Sequence, residues 1–458
     1  MKGLLLFPNT LYINSINNNL NIILYEHPKF FTKYKFHKLK LIFHRATMKS
    51  YDYTTKYIEY HMNLRPILKE YTEIYMYDPT DFDVMNDIKK LCNSLNIILH
   101  ILDSKSFILT PKEIDNYIKS SIITTKKPYF NATFYKYVRR TKNILMTSDK
   151  TNPIGGKWSY DILNRIKFPK EYKEDPKVFK SYTNKIIEEA TEYVNKHFPN
   201  NIGETNMYLP ITHSDSKKWL KRFIKLRLKQ FGPYEDAIDP DVIFGYHSCI
   251  SALLNVGLLE PSYVIKEALK YKKRVPIQSL EGFIRQVLSW REYSRMLYIK
   301  EHKKFKTLNF LGHTKSLDKS WYNGTTGILP VDNCIKKALK YAYCHHIERL
   351  MILGNYMLIS MIHPKYVYKW FIEVVSIDAY EWVMEPNVYG MSQHSVGQLM
   401  MNRVYFSSSN YIFKMSNYKK SQNVWSKKWD NLYHKFIKRH RKYLRTIYAN
   451  AVQAYNSK

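Results

Sequence analysis

The thirteen residues Glu281-Gly282-Phe283-Ile284-Arg285-Gln286-Val287-Leu288-Ser289-Trp290-Arg291-Glu292-Tyr293 hold the densest mixture of reactive and hydrogen-bonding groups in the chain. Phe283, Val287 and Trp290 recur at helical spacing, with Ile284 and Leu288 beside them. Arg285, Gln286, Arg291 and Glu292 crowd the same turns. A wide apolar stripe with so many polar groups next to it predicts a helix that lines a buried, polar-headed pocket. Ser248 and Ser251 stand three apart, which puts both hydroxyls on one face of a helix. With backbone N–H groups and a guanidinium such as Arg285 they can hold a diphosphate; they can equally cap a helix start. His345 and His346 are adjacent, so on a helix they diverge by about 100° and cannot both chelate one metal. An imidazole exchanges protons near neutrality, although such pairs are also common as satisfied core residues. Trp290, Trp370 and Trp382 can carry electrons or simply pack.

Four cysteines, Cys92, Cys249, Cys334 and Cys344, are scattered with no CxxC pair, which excludes a zinc ribbon or a thioredoxin motif and fits a reducing, intracellular compartment such as cytoplasm or nucleus. No GxGxxG or GxxxxGK[ST] occurs. The opening MKGLLLFPNT is too short in its apolar run for a signal peptide, and Leu350 to Ile362 is interrupted by Asn355, so no membrane span is expected. A net charge of +33 attracts polyanions, nucleic acid above all; a lysine-, asparagine- and tyrosine-rich composition of the kind an AT-rich genome produces is the other source of such an excess.

The elements that must position these residues fall into three stretches. In residues 1–146, apolar runs at Gly3–Phe7, Asn21–Tyr25, Ile74–Tyr77 and Asn96–Leu102 alternate with helical patterns at Phe36–Lys49 and Val84–Leu95, the latter announced by Pro79-Thr80-Asp81. That alternation predicts a parallel sheet with both faces covered. Residues 147–216 are punctuated by Pro153, Gly155, Gly156, Pro169, Pro176 and Pro199 and read as a connection with a few helical turns. From 217 to 458 strand signals almost vanish, and the end of the chain from Lys419 is strongly basic.

Several segments, in order, resemble the photolyase and cryptochrome superfamily, in particular its bacterial-type photolyase-related branch. They are Phe36–Leu41 with His44-Arg45-Ala46-Thr47-Met48; Gly155-Gly156-Lys157-Trp158-Ser159-Tyr160-Asp161 with Asn164-Arg165; Gly232–Ala237; His247–Ser251 with Asn255; the Glu281–Tyr293 helix; His345–Met351; and Pro386–Gln393 with Ser409–Ile412 and Met415-Ser416. The resemblance implies a Rossmann-like α/β antenna domain, an all-α FAD-binding domain, and light-driven repair of pyrimidine dimers in UV-damaged DNA, most of all the (6-4) photoproduct. The implied work is electron transfer from excited reduced FAD by a monomer, with a lumazine-type antenna. A cryptochrome-like photoreceptor or a non-photoactive nucleic-acid-binding relative are the alternatives. Carried over by position, Tyr234, His247, Ser248, Ser251, Asn255, Glu281, Arg285, Trp290, Arg349, Asp378 and Asn387 belong to the FAD site, and Trp370 and Trp382 to an electron path. His345, His346, Tyr405 and Tyr411 belong to the lesion side, with His346 as proton donor. The branch also has departures here. Pro330 stands where many members have a cluster-ligating cysteine, and no cysteine follows Met415-Ser416-Asn417-Tyr418, so the chain resembles the members without an iron–sulfur cluster. Phe371 stands where some relatives have tyrosine.

Overall fold

A computed structural model describes residues 1–13, 20–52, 54–125, 129–163, 165–174, 181–419, 421 and 424–448. Asn164 and Pro176, named above, lie outside the described residues.

Strands β1 (Lys2–Leu6), β2 (Asn21–Tyr25), β3 (Thr54–Ile58), β4 (Glu73–Tyr77) and β5 (Ile98–Leu102) form one parallel sheet in the order β3-β2-β1-β4-β5. β1 is central, pairing Gly3 with Asn21 on one side and with Ile74 on the other. Leu4, Leu5 and Leu6 have no exposed surface, as expected where helices cover both faces. Gly3 is required by close approach: a Cβ there would meet the Tyr71 ring at 2.9 Å. Four of the five strands match the apolar runs in the sequence. β3 does not, because it is an edge strand with half-exposed residues and no apolar run. The two helices expected in this region run Lys38–Lys49 and Phe82–Ser94. Each begins at a side-chain cap. His37 Nδ1 accepts from Leu39 N at 3.0 Å, and Asp81 accepts from Asp83 N and Val84 N at 3.0 and 3.1 Å.

The connecting stretch is more ordered than its prolines imply. Its helix Lys185–His197 buries Ile187, Ala190, Tyr193 and Val194, and it packs on the Lys38–Lys49 helix. Arg45 ties the two together, binding Glu189 at 3.0 Å, Glu26 at 2.9 Å and Glu59 at 2.9 Å. Helical structure resumes at His213–Leu226 and dominates to the end of the described chain.

Three of the later helices contain π-helical turns, two of them internal, at Gln286–Trp290 and Glu348–Gly354, and one at the C-terminal end of its helix, at Glu385–Ser392. Each carries an extra residue in its turn, a device that concentrates at functional sites because it redirects side chains without ending the helix. The α/β part docks onto this region through buried polar contacts. Lys29 binds Glu381 at 2.7 Å, His44 meets the Tyr380 hydroxyl at 2.7 Å, and Lys40 donates to the Ala379 carbonyl.

Candidate functional site

All three π-helical turns face one cavity of about 290 Å³. Gln286, Val287 and Trp290 line it from the first, Arg349 and Leu350 from the second, and Asn387, Val388, Met391 and Ser392 from the third. The segment Glu281–Tyr293 is helical as expected, running as Ile277–Arg285, the first π turn, and Arg291–Thr307. Phe283, Val287 and Trp290 all reach the cavity.

The remaining wall comes from His247 to Ser251. Cys249 takes the left-handed conformation at φ 54°, and the helix starts only at Ser251. Ser248 and Ser251 therefore do not share a helical face, but both still line the cavity, Ser248 on a loop and Ser251 on the first turn. The Ser251 hydroxyl donates to Asp378 Oδ2 at 2.6 Å, and Asn255 Nδ2 donates to the Asp378 carbonyl at 2.8 Å. Arg349 grips the same carboxylate with two bonds, 2.9 and 3.1 Å, and its Nε donates to Cys344 O at 2.6 Å. Burial works against charge on Arg349, and Asp378 outweighs it, so the guanidinium is held firmly protonated.

The histidine pair divides, although only His346 is helical; His345 lies in the loop just before the helix. His346 lines the cavity and is exposed to it. Burial, then Arg349, lowers its pKa to about 4, with Asp161 pulling the other way. His345 points away and stacks on His247, ring centroids 5.1 Å apart and planes within 13°. Burial holds both stacked rings neutral.

Of the other residues singled out in the sequence, Asn255, Trp290, Arg349, Asp378, Trp382 and Asn387 line the cavity. Glu281 does not. It accepts from the Tyr135 hydroxyl at 2.8 Å and from Tyr160 N at 3.0 Å, which ties the Gly155–Asp161 motif to the site helix. Arg285 is spent on that knot, binding Glu281 at 3.2 Å and Asp161 at 3.1 Å, so it brings no free charge to the cavity. Tyr234 sits apart in a stack with Phe168 and Tyr246. Tyr405 pairs with Arg403 at 3.1 Å, and Tyr411 lies near Asp236 and Arg165; neither lines the cavity. Trp370 is one ring behind the wall, edge-on to Phe371, which does line it, at 5.1 Å. Arg291 was not assigned to the site by position. It lines the cavity with its guanidinium 4.7 Å over the Trp382 ring, and only its place in the polar crowd of the helix signalled it.

The lining divides by chemistry. The Ser248 and Ser251 hydroxyls line one wall in the field of two arginines that are themselves held by the protein, Arg349 by Asp378 and Arg291 by Ser106 O and Asn255 Oδ1, a setting of the kind that receives a diphosphate. Phe371, Trp382, Val383 and Val388 make an apolar stretch of the lining, with Asn387 beside them. The donor set fits a flavin dinucleotide.

A family of deoxyribodipyrimidine photo-lyase-related proteins matches residues 3–208. A (6-4) photolyase of Agrobacterium fabrum is 33% identical over 351 residues, which span 76% of this chain and 67% of that protein. The chain belongs to the photolyase and cryptochrome superfamily, in its photolyase-related branch. Solved structures share the fold. A class III photolyase from Agrobacterium tumefaciens superposes with a TM-score of 0.59 at 14% identity, covering 96% of this chain and 87% of that one. A cryptochrome from Synechocystis sp. PCC6803 gives 0.64 at 16%, covering 93% and 88%. The two-part architecture of this photolyase-related chain, a five-stranded parallel sheet followed by a helical remainder, is that of its superfamily.

Two other features frame the photolyase-like cavity. A second cavity of about 590 Å³ opens beside the ends of β2 and β3, lined among others by Tyr25, His27, Lys29, Tyr60 and Asp83. Among the described residues, His302, Glu381 and Glu385 are the one trio placed to share a metal ion. Ammonium groups already occupy that ground, however. Lys29 binds Glu381, and Lys306 lies 3.3 Å from Glu381 and 3.4 Å from Glu385. The four cysteines are free and buried, and no described helix is long and apolar enough to cross a membrane.

Proposed function

We propose that this chain is a light-dependent DNA repair flavoprotein that reverses (6-4) photoproducts, with FAD in the cavity walled by the three π-helical turns. The observation that carries the reading is His346. It opens into the same hollow as the diphosphate-type donors, while its neighbour His345 is turned away and stacked. Bound FAD would supply light absorption and a one-electron donor. The chain's own residues do the rest. Ser248 and Ser251 would hold the cofactor's anionic bridge in the positive field of Arg291 and Arg349, and Asp378 fixes Arg349 in place. Trp382, Phe371 and Val388 exclude water from the apolar part of the cavity. His346 holds the proton that the lesion needs, at a ring whose charge rises when an anion enters beside it. A damaged dinucleotide leaves the duplex to reach such a site. The cavity at the ends of β2 and β3 is where a lumazine-type antenna would fit, since parallel sheets take ligands at the carboxyl ends of their strands. Pro330 and the lack of any cysteine after Met415-Ser416-Asn417-Tyr418 support a chain without an iron–sulfur cluster.

The test is repair of defined oligonucleotides under blue light by the purified flavin-loaded protein. Conversion of (6-4) substrates supports the proposal. Conversion of cyclobutane dimers alone moves the lesion assignment. Photoreduction of bound flavin with no repair of either moves the chain to the photoreceptor reading.

A further inference from the structure

The last helices carry charge that the cavity does not use. Residues 419–448 hold ten Lys+Arg and a single acid, Asp430. Spread evenly, the chain's 72 Lys+Arg and 39 Asp+Glu would place about five cations and about three acids in thirty residues. A general lysine-rich composition accounts for the former density and leaves this excess unexplained.

The fold then sorts these charges. On the helix Val424–Arg439, the exposed cations Lys427, Lys428, Lys435, Lys438 and Arg439 fall within an arc of about 120°, at about 100° per residue. The opposite face buries Trp425, Trp429, Phe436 and Ile437. Asp430 is turned away from the basic arc and caps another helix, accepting from Ser409 N at 2.7 Å and Ser409 Oγ at 2.8 Å. The next helix, Arg441–Ile447, adds exposed Arg441, Lys442 and Arg445. Lys427 to Arg439 span about 18 Å of helix, close to half a turn of duplex DNA, whose phosphates follow each other at about 3.4 Å per strand. Like charges held this close repel one another, and they carry no acidic partner among the described residues to offset it.

We infer that the basic face of Val424–Ile447 is a backbone-reading contact for duplex DNA, independent of lesion and sequence and separate from the cavity. It rests on the proposed function only in the choice of DNA as the polyanion. Its work is to hold the protein on undamaged duplex, so that a lesion is sought along the DNA rather than from solution. Because it touches phosphate alone, it adds affinity without discrimination.

The experiment measures binding of an undamaged duplex and the same duplex with one (6-4) lesion across roughly 50–200 mM salt. It uses the full-length, flavin-loaded protein and two quadruple variants. The first carries Lys427→Gln, Lys428→Gln, Lys435→Gln and Lys438→Gln. The second is a charge-matched control in the α/β part, with Lys69→Gln, Lys89→Gln, Lys90→Gln and Lys112→Gln, all exposed positions. For the first, the slope of log affinity against log salt falls by roughly 2–3, since each lost phosphate contact removes about 0.9. Both duplexes weaken tenfold or more, and the ratio between them is unchanged. The control keeps the slope of the unaltered protein. A helix variant with an unchanged slope overturns the inference, as does a control that loses as much, which would make the effect one of net charge. Loss of the damaged-to-undamaged ratio in the helix variant also overturns it, by placing this face at the lesion. If the unaltered protein shows no preference for the lesion while the slope still drops in the helix variant alone, the repair reading fails and this contact stands.

Discussion

Arg349 and Asp378 meet end-on at the wall of the cavity, the two terminal guanidinium nitrogens each donating to one carboxylate oxygen. Neither residue can leave without stranding the other. Asp378 also collects Ser251, and the adjacent Ala379 and Tyr380 are held by Lys40 and His44 from the α/β part. The sheet domain therefore helps to fix the acid that fixes the arginine.

Asp378→Ala should abolish flavin retention with an otherwise folded protein. It leaves Arg349 charged, deeply set and unpaired, at a cost of about 3–5 kcal/mol for a broken buried pair. Flavin absorbance per mole of purified chain is the readout. Retention at the level of the unaltered protein would show that the pair plays no part in holding the cofactor.

His346→Ala and His345→Ala should fail differently. The first removes a group that faces the hollow, so flavin and DNA binding persist while repair falls by roughly 10²–10⁴, the usual contribution of a positioned proton donor. The second removes half of a stacked pair buried beside the site, so thermal stability and flavin content fall together. Matching behaviour of the two variants would contradict the division of roles.

Lys29→Met should cost about 3–5 kcal/mol of stability. Burial pulls the Lys29 pKa down, but Asp81 and Glu381 outweigh it and leave it raised. Without the ammonium, buried Asp81 loses its counter-charge and Glu381 is left with Lys306 alone. Denaturant midpoints of the two proteins give the difference; a change below about 1 kcal/mol, the ordinary worth of an exposed pair, would show the network to be solvated.

Acidification should weaken the fold between about pH 6.5 and 4. His27 and His37 are lowered to about 4 and His313 to about 3, in each case chiefly by burial. His37 shows why: Nδ1 accepts from Leu39 N, and Nε2 meets Leu339 O, which satisfies the neutral ring completely. A histidine with a depressed folded pKa contributes its full stability above the unfolded value and loses it as pH falls toward the folded one. Asp81 and Asp236, raised to about 6 chiefly by burial, act in the opposite sense, since they bind protons more readily when folded. Over the described residues burial lowers ten histidines and raises six carboxylates, which leaves a net loss on acidification, with up to about 1.4 kcal/mol per pH unit for each unmatched proton. Unfolding free energies at pH 7 and pH 5 test the sign.

Purified protein should contain no stoichiometric iron, since Pro330 cannot ligate it and the four cysteines are buried and dispersed along the sequence. Metal analysis of the flavin-loaded protein decides.

The sequence made those features legible that rest on local pattern. β1 and β2 are unbroken apolar runs, and Asp81 stands in its expected place before a helix, so both were readable. β3 was not, because half-exposed Thr54 and Lys56 break any apolar signal at a sheet edge. The Lys185–His197 helix has its period, but surrounding prolines dominated the reading. At the site, residues pointing into the cavity from one continuous helix were legible, and those whose role depends on a distant partner were not. Nothing local says that Arg285 is tied to Asp161 while Arg291 stays with the cavity. The left-handed Cys249, which takes Ser248 off the helix, likewise leaves no mark in the composition.

The π-helical turns give the cavity an unusual tolerance to deletion. Each holds one residue more than an α-helix of the same height, and removing it would let the helix close into regular form with the flanking turns still in register. The two helices that continue beyond their π turn, at Gln286–Trp290 and Glu348–Gly354, can thus lose a residue without unravelling, while the side chains aimed at the hollow are re-dealt by about 100°. Lineages of this fold can exchange one set of lining residues for another by a change of chain length alone.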